Sequence, residues 1–490
     1  MAGKHALMVE SAFGGRLDMA SKTPGLPLRI ALPFSAPSIP LTVLGVVIAV
    51  YLPNFFAGQL GVSMAMIGVV LMGVRLVDMP VDVILAALMD HTRSRFGRYR
   101  LWLVAGAPVL MAALYALFMA PPRFSAAYLF GWYFTLALGA SICGLAHQAW
   151  TASLAPRYDD RSRLFGLINA VGVAGVLVAM SVLILGPSLG LRAGDSVRAS
   201  GWFTILATPV CMLLAAAVAP ETIAPNIERR PSFADYREVL LKPDLLRLFL
   251  AQLCLSLGPT WMSAIYLFFF EDSRGFSSQQ SSILLAVYIL AGIPGALLTS
   301  VVAQKFGKHR TLIGATTAYS LGLLSVFVVT HGNMVVGLPV MLFEGMMAAG
   351  FGMMVQAMLA DVGDEIRLTQ GRQRMSLVYS VNTLATKIAA AAAIGLTFPL
   401  LEALGFNPRE GAVNTAAAIH NLDIAFIAGP ILFVMLGGAC VIGWRLDAAR
   451  HGLIRAELDS RDAALEALQA EPSVGPASLV IAAAAEPAGR

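Results

Sequence analysis

Apolar runs long enough to cross a lipid bilayer recur along almost the whole chain. A spanning α-helix needs about 20 consecutive, mainly apolar residues, and polar or basic segments separate the runs that meet this length. The runs lie near 30–53, 61–90, 101–120, 126–154, 164–188, 201–220, 246–270, 280–304, 311–330, 334–360, 374–404 and 420–445. The pattern predicts an all-α membrane protein with 12 transmembrane helices.

The composition agrees with this pattern and excludes the other broad classes of protein. Of the 490 residues, 58% are hydrophobic and 13% are charged, whereas an ordinary soluble protein has about 25% charged residues. The four cysteines all lie inside apolar runs, which argues against a disulfide framework or a metal site. Because the chain has no nucleophile motif, phosphate-binding loop or metal constellation, we expect a protein that is not an enzyme and needs no cofactor.

The placement of the basic residues predicts how the chain is oriented. If the N-terminus is inside, the inner segments hold 27 of the 34 Lys and Arg residues and the outer loops hold 5. Such an excess of basic residues marks the cytoplasmic side of membrane proteins. We therefore expect a multi-pass protein of the plasma (cytoplasmic or inner) membrane with both termini in the cytoplasm. The net charge of +5 reflects this topology rather than binding to nucleic acid.

Short basic patterns occur at corresponding positions in the two halves of the chain. FGRYR at 96–100 follows the second apolar run, and FGKHR at 306–310 follows the eighth. Repeated inner loops of this kind predict two related six-helix bundles, as in the major facilitator fold. The predicted segments are an N-terminal cytoplasmic tail at 1–29, a first bundle at 30–220, a cytoplasmic linker at 221–245, a second bundle at 246–445 and a C-terminal cytoplasmic tail at 446–490.

The second apolar run contains the densest group of charged residues within the predicted spans. Arg75, Asp78 and Asp82 have a spacing that puts them on one helical face, and Pro80 lies between the two acids. A charge at the centre of a spanning helix costs about 2.5–3.5 kcal/mol on insertion scales. Charges that persist there usually face an interior cavity and have a function. Lys387, in the eleventh run, brings this group to zero net charge.

These four charges indicate how a cation could be bound. Two carboxylates one helical turn apart repel each other, so the pair favours uptake of a proton or a cation. If Lys387 lies beside Asp78 and Asp82 in the empty site, an arriving H⁺ or Na⁺ competes with its ammonium group and frees the lysine. We assign Arg75 to the same coupling group. The alternative is a neutral salt-bridge network that only holds the helices in register.

Other polar or aromatic residues within the spans are candidates for a solute cavity. A membrane histidine can relay protons, and an aromatic ring can stack on a flat solute. The alternative for each of these residues is ordinary helix packing. The candidates are Trp150, His147, Glu344, Tyr379, Asn382 and Gln252.

The inner loop after the second run is rich in basic residues, and it is a candidate cytoplasmic gate. Its Asp and Arg side chains are expected to latch the ends of helices to one another. A plain positive-inside anchor is the alternative. The candidates, together with two arginines after the fourth run, are Asp90, Arg93, Arg95, Gly97, Arg98, Arg161 and Arg163.

The most specific motifs of the chain lie in and after the second run. Residues 75–82 read RLVDMPVD and residues 90–98 read DHTRSRFGR, with supporting matches in LAPRYDDRSR at 154–163 and LADV at 359–362. These motifs resemble those of the glycoside–pentoside–hexuronide:cation symporters of the major facilitator superfamily. The resemblance extends over most of residues 25–445.

The resemblance implies a secondary active transporter that couples H⁺ or Na⁺ to symport of a small, sugar-like solute by alternating access. It implies that Asp78 and Asp82 bind the cation and that Lys387 lies between the cation and solute sites. Trp150 would line the solute cavity. The implied partners are the lipid bilayer, the solute and the coupling cation, and we expect a monomer.

Several positions depart from the pattern of that family. The first run contains no acid, and Ala146 stands where the family has the sugar-binding Asp of the fourth span. Val81 and Cys143 replace polar ligands of sodium, and no Arg is present at 168–171 in the fifth span. Because hydroxyl-rich sugars need paired donors and acceptors, these departures argue against such a sugar and favour a proton over sodium.

Two further functions remain open on sequence grounds. The first is a proton-driven exporter, or a transporter of lipid-like solutes, on the same fold. The second is a sensor or assembly factor that keeps the fold without transport. Retention of both acids of the second span and of the basic loops argues against the second alternative.

Overall fold

The computed structural model describes residues 26–155, 158–221, 242–329, 332–370, 375–409, 412–446 and 448–470. Helices and the turns between them make up this part of the chain, and it contains no β-strand. The N-terminal tail up to residue 25 and most of the predicted linker lie outside the described residues.

Twelve long helices follow one another and correspond one to one with the predicted spans. They are α1 (Leu28–Gln59), α2 (Met64–His91), α3 (Tyr99–Phe118), α4 (Ala126–Leu154), α5 (Tyr158–Leu185), α6 (Ala193–Val218), α7 (Pro243–Ser273), α8 (Ser278–Phe306), α9 (Lys308–Val328), α10 (Met334–Gln370), α11 (Met375–Ala403) and α12 (Ala416–Ala439). Eleven are long and apolar enough to cross a membrane by length and composition. The other is α2, which is 28 residues long and carries the predicted charge group.

Helices α1–α6 form the first half of the molecule and α7–α12 the second half. The halves meet where α2 packs on α11 and where α5 packs on α8. Glycines allow the first of these contacts: a Cβ on Gly68 would lie 2.9 Å from the ring of Pro399, and a Cβ on Gly395 would overlap Met72. Small residues let membrane helices approach closely, so this seam can bring polar groups of the two halves together.

The junction between α1 and α2 has the same backbone pattern as the junction between α7 and α8. Residues 55–63 read FFAGQLGVS and residues 269–277 read FFEDSRGFS. Each begins with a π-helical turn, passes through a glycine with positive φ (+66° at Gly61, +63° at Gly275) and ends in a serine that caps the next helix. The sequence analysis did not identify this repeat. It supports an internal relation between the halves.

The basic loops 96–100 and 306–310 also have similar backbones. Gly97 and Gly307 both have positive φ, +103° and +84°, which a residue with a Cβ rarely adopts. Gly307 comes directly before the start of α9, and Gly97 comes two residues before the start of α3. We refer to this end of the molecule as the basic end, and to the end with the α1–α2 and α7–α8 junctions as the opposite end.

At the basic end, Glu221 joins the end of α6 to the start of α3. Its carboxylate accepts hydrogen bonds from the backbone N–H groups of Arg98 (2.7 Å), Tyr99 (2.7 Å) and Arg100 (3.2 Å). The Arg100 guanidinium donates to the carbonyl of Ala219 at 2.7 Å. A carboxylate at a helix N-terminus satisfies free N–H groups and complements the helix dipole. The contact therefore ties two helices of the same half together.

Helix α10 continues ten residues beyond its predicted end at 360, to Gln370. The apolar run ends near Leu359 because charged residues follow it in the sequence. In the structure these charged side chains have ion-pair partners, so the helix continues past the apolar run. Lys308 at the start of α9 pairs with Asp361 at 2.7 Å. The prediction of a helix here was therefore correct, but its predicted end at 360 was ten residues too early.

The amphipathic segment after α12 forms a helix, α13 (Ala448–Ala470), that contacts the extension of α10. Arg450 pairs with Glu365 at 2.8 Å, and His451 lies 3.1 Å from Asp364. The sequence analysis placed this segment in the C-terminal cytoplasmic tail at 446–490. The structure places its basic face against acids of α10 at the basic end.

Replacing Glu221 tests the contact between α6 and α3. Glu221→Ala removes one acceptor that serves three N–H groups, so we expect the free energy of unfolding to fall by about 2 kcal/mol. The measurement is the apparent Tm of the purified protein in detergent. Glu457→Ala is the control, because it removes only an exposed pair with Arg461 within α13. Equal shifts in Tm for the two variants would contradict the stabilising contact.

Candidate functional site

The structure brings Lys387 of α11 between the two acids of α2, where the halves of the molecule meet. The Lys387 Nζ atom donates to Asp78 Oδ2 at 3.3 Å and also contacts Asp82 Oδ2. These residues are more than 300 positions apart in the chain. The predicted juxtaposition of two carboxylates and one ammonium group is therefore present, and we call it the central charge cluster.

The two carboxylates of the cluster have different surroundings. Asp78 is 1% exposed and accepts a further hydrogen bond from the hydroxyl of Ser141 on α4 at 3.3 Å. Asp82 is partly exposed, and its Oδ1 atom is buried without a hydrogen-bond partner in the described structure. Asp82 consequently keeps a free acceptor beside the ammonium group, where a small cation could be coordinated.

Arg75, the fourth predicted charge, is turned towards α4. Its guanidinium lies over the ring of Tyr133, 6.0 Å from the ring centroid. Tyr133 is almost fully buried, so the contact fixes the arginine against the first half. Arg75 therefore contributes positive charge near the cluster from the side of α4, while Lys387 approaches from the second half.

Polar side chains of the second half adjoin Lys387. The Gln252 amide on α7 donates to Ser256 at 2.8 Å and to Thr386 at 3.2 Å, and Thr386 is the residue before the lysine. Asn382 is buried one turn further along α11, and its Oδ1 atom has no partner among the described residues. Tyr379, on the same helix, is half exposed. Gln252 is therefore linked to the residue before Lys387, and Asn382 and Tyr379 lie on the same helix as the lysine.

A groove of about 300 Å³ lies beside Gln252 in the second half. Helices α7, α8 and α10 supply its walls. The lining residues are Gln252, Leu255, Ser256, Pro259, Tyr288, Ile289, Gly292, Gly345, Ala348, Ala349, Phe351 and Gly352. Most of these are apolar or small, so the groove offers few hydrogen bonds to a solute.

His147 and Trp150 do not face a cavity in this conformation. The His147 ring donates to the carbonyl of Phe34 at 2.8 Å, and Trp150 is fully buried and donates to the carbonyl of Pro220 at 3.2 Å. The Arg100 guanidinium covers the Trp150 ring, 5.7 Å from its centroid. Both rings pack helices of the first half together, which corresponds to the packing alternative for these residues.

Glu344 also lies away from the groove, although its neighbour Gly345 lines it. The Glu344 side chain is 0% exposed and points towards Gly322 on α9. Sequence position alone suggested a cavity residue because the glutamate lies among glycines and methionines. The helix turns it instead into the packing between α9 and α10.

The predicted gate residues make their contacts within the first half. The Arg98 backbone binds Glu221, and Arg93 and Arg95 are exposed. Arg163 lines a separate small pocket near the start of α1. The side chains of Asp90 and Arg161 lie outside the described residues. Glu221 was missed as a contact residue, because a single glutamate in a linker carries no signal until the fold brings it to α3.

A second cavity, of about 170 Å³, lies between the halves at the opposite end. Tyr51 of α1 donates across its wall to Ser282 of α8 at 3.0 Å, and Glu271 and Asp272 of α7 also line it. Nearby, the hydroxyl of Ser63 donates to Glu402 at 2.9 Å, again between the halves. Sequence reasoning missed these residues. The repeated FFAGQLGVS and FFEDSRGFS junctions were the signal that could have identified them.

The central charge cluster offers carboxylate oxygens as acceptors for a cation. No group of three or more His, Cys, Asp or Glu side chains that could hold a metal ion occurs in the described ranges. All four cysteines are free thiols. The chemistry available at the central charge cluster is therefore exchange of an ammonium group for another cation between two carboxylates.

Comparison with known proteins agrees with this geometry. The chain matches the family described as MFS/sugar transport protein over residues 33–448. The isoprimeverose transporter of Lactiplantibacillus pentosus is 21% identical over 437 residues, which cover 86% of this chain and 89% of the relative. A glucuronide carrier protein homolog of Escherichia coli (strain K12) is 22% identical, with coverage of 84% and 91%.

The fold is similar to that of solved transporters. A crystal structure of a mutant of the nucleoside transporter NupG has a TM-score of 0.65 and 13% identity, and the alignment covers 84% of this chain and 100% of that chain. This likeness and the twelve observed helices confirm the predicted all-α major facilitator fold. Because the family match covers most of the chain, the resemblance to the glycoside–pentoside–hexuronide symporters is also confirmed, and the protein belongs to the MFS/sugar transport protein family, whose members are membrane transporters and not enzymes.

Proposed function

We propose that the protein is a secondary active transporter that couples H⁺ or Na⁺ to symport of a small organic solute by alternating access. The observation that carries this proposal is the position of Lys387 between Asp78 and Asp82. The ammonium group comes from one half and the carboxylates come from the other, so the occupancy of the site affects how the halves attach to each other.

The ion and the lysine compete for the same two carboxylates. In the ion-free state Lys387 and Arg75 together compensate the two carboxylates, and an entering proton or Na⁺ takes over the part of Lys387 because uncompensated carboxylates repel each other. The displaced ammonium group then lies near Thr386, which accepts a hydrogen bond from Gln252 in the wall of the groove. The position of the Lys387 side chain thereby links binding of a solute in the groove to binding of a cation at Asp78 and Asp82.

Alternating access requires that contacts between the halves break at one end and form at the other. Tyr51–Ser282 and Ser63–Glu402 join the halves at the opposite end. We infer that this conformation is closed there, and that opening towards that end breaks both hydrogen bonds. Because basic residues mark the cytoplasmic side of membrane proteins, the basic end faces the cytoplasm in this proposal. The protein is proposed to work as a monomer in the plasma membrane.

The solute is a glycoside-like molecule if the substrates of the relatives extend to this chain. A lipid-like solute is the second candidate, because apolar and small residues dominate the groove, from Leu255 and Ile289 to Phe351. An apolar pocket binds apolar solutes by burial and gives little discrimination through hydroxyl groups. Both candidates use the same cation site.

Removing one acid tests cation coupling. In proteoliposomes with an imposed H⁺ or Na⁺ gradient, we expect the wild type to accumulate at least one of three labelled probes: isoprimeverose, a glucuronide or a lysophospholipid. Asp78→Asn or Asp82→Asn should abolish gradient-driven accumulation because the site loses a carboxylate. Asp195→Asn, in an exposed position, is the control. Normal accumulation in both variants of the cluster would contradict the proposal.

Removing the lysine tests its competition with cations. Lys387→Ala leaves the two carboxylates with only Arg75 to compensate them, so we expect the free energy of unfolding at neutral pH to fall by about 3 kcal/mol. The loss should shrink as the pH is lowered or Na⁺ is added, because protonation or the ion neutralises the pair. Thermal unfolding across pH and NaCl concentration measures this, with exposed Lys305→Ala as the control. A deficit independent of pH and Na⁺ would exclude the competition.

Labelling tests the proposed orientation. In a chain without its four natural cysteines, Phe96→Cys probes the basic end and Leu189→Cys the opposite end, since these residues are 60% and 78% exposed. A membrane-impermeant maleimide added to intact cells should label only position 189. Labelling at position 96 would show that the basic end faces the outside and would contradict the proposed orientation.

A further inference from the structure

Glu344 is a buried acid that the central charge cluster does not use. Its side chain is 0% exposed, and neither carboxylate oxygen has a hydrogen-bond partner in the described part of the chain. Other buried acids of the protein are paired: Asp78 with Lys387, and Asp361, on the same helix as Glu344, with Lys308. Glu344 is therefore exceptional among them.

Among the described residues, the surroundings of Glu344 contain space for the side chain but no positive charge. A Cβ on Gly322 of α9 would overlap the Glu344 Oε1 atom, so this glycine makes room for the carboxyl group. The titratable groups that interact electrostatically with it are the phenols of Tyr288 on α8 and Tyr319 on α9. Neither phenol can compensate a negative charge as an ammonium or guanidinium group would.

An ionised carboxylate without a partner is very costly in such a place. Burial of an isolated charge in an apolar medium is so unfavourable that the group becomes neutral instead. A neutral acid costs much less, since only its hydroxyl and carbonyl groups are desolvated. The burial and the missing partners therefore both favour the protonated acid, whereas an ordinary glutamate, with a pKa of about 4.3, is ionised at neutral pH.

We propose that Glu344 is a second proton-binding site, located between α8, α9 and α10 and occupied by a proton in this conformation. Tyr288 lines the groove and also interacts electrostatically with Glu344, so one side chain is common to the acid and the groove. Separation of α10 from α8 and α9 would hydrate the acid and release its proton. This site lies on other helices than the central charge cluster and does not depend on the proposed symport.

The state of Glu344 can be measured by infrared spectroscopy on the full-length protein in lipid at neutral pH. We expect the wild type to show the carbonyl stretch of a protonated carboxylic acid, and Glu344→Gln to lack that band. Asp361→Asn is the matched control: Asp361 is a buried acid of the same helix that is paired with Lys308, so the band should remain. Absence of the band from the folded wild type would overturn the proposal.

Thermal unfolding across pH gives a second readout that needs no substrate. Because folding of the wild type takes up a proton at Glu344, its folding equilibrium should lose about tenfold per pH unit relative to Glu344→Gln as the pH rises above the range where a free glutamate ionises. A constant difference between the two proteins would contradict the proposal. Should Glu344→Gln fail to fold, a hydrophobic carbodiimide, which reacts with the protonated acid, should modify Glu344 in the wild type. Mass spectrometry without that modification would count against the site.

These measurements distinguish a proton at Glu344 from cation coupling at the central charge cluster. Loss of uptake in Asp78→Asn concerns the central charge cluster alone. A missing infrared band at Glu344 leaves that cluster unaffected, and a present band does not require that any solute is transported.

Discussion

The arrangement of the whole protein depends on one ammonium group held between two carboxylates inside the membrane. Lys387 pairs with Asp78 and Asp82, and Arg75 supplies the second positive charge, in a region where an unpaired charge would be very unfavourable. The acids belong to the first half and the lysine to the second, so electrostatics attaches the halves at their centre. Any cation that replaces the lysine keeps the charge balanced but removes this attachment. The charge balance of this cluster therefore depends on the relative position of the two halves.

The two ends of the molecule differ in which helices their polar contacts join. At the basic end the strong contacts lie within one half, as with Glu221 and the start of α3 or Lys308 and Asp361. At the opposite end, weaker hydrogen bonds such as Tyr51–Ser282 connect the halves. Internally braced halves joined by a few neutral or exposed hydrogen bonds can move as rigid bodies, which is what alternating access requires.

The three predicted cavity residues that pack between helices differ in whether their polar atoms have partners. His147 and Trp150 satisfy their ring N–H groups with backbone carbonyls and so act as packing residues. Glu344 has no such partner. A buried polar group without a partner is usually lost in evolution unless its cost is offset by a role. His147 and Trp150 therefore act as packing residues, whereas Glu344, which the sequence pattern grouped with them, has unpaired carboxylate oxygens.

The amino-acid sequence alone determined the helices, the group of charges in α2 and the family, because hydropathy and motif spacing are local properties. It also indicated that Lys387 belongs with Asp78 and Asp82, since net charge inside a membrane must balance. Only the tertiary structure decided which atoms meet. Glu221 reaches α3 across more than 100 residues, α10 persists because Lys308 and α13 supply partners for its charges, and Glu344 turns away from the groove. Such contacts depend on helix rotation and on the packing of distant segments, which a local pattern does not contain.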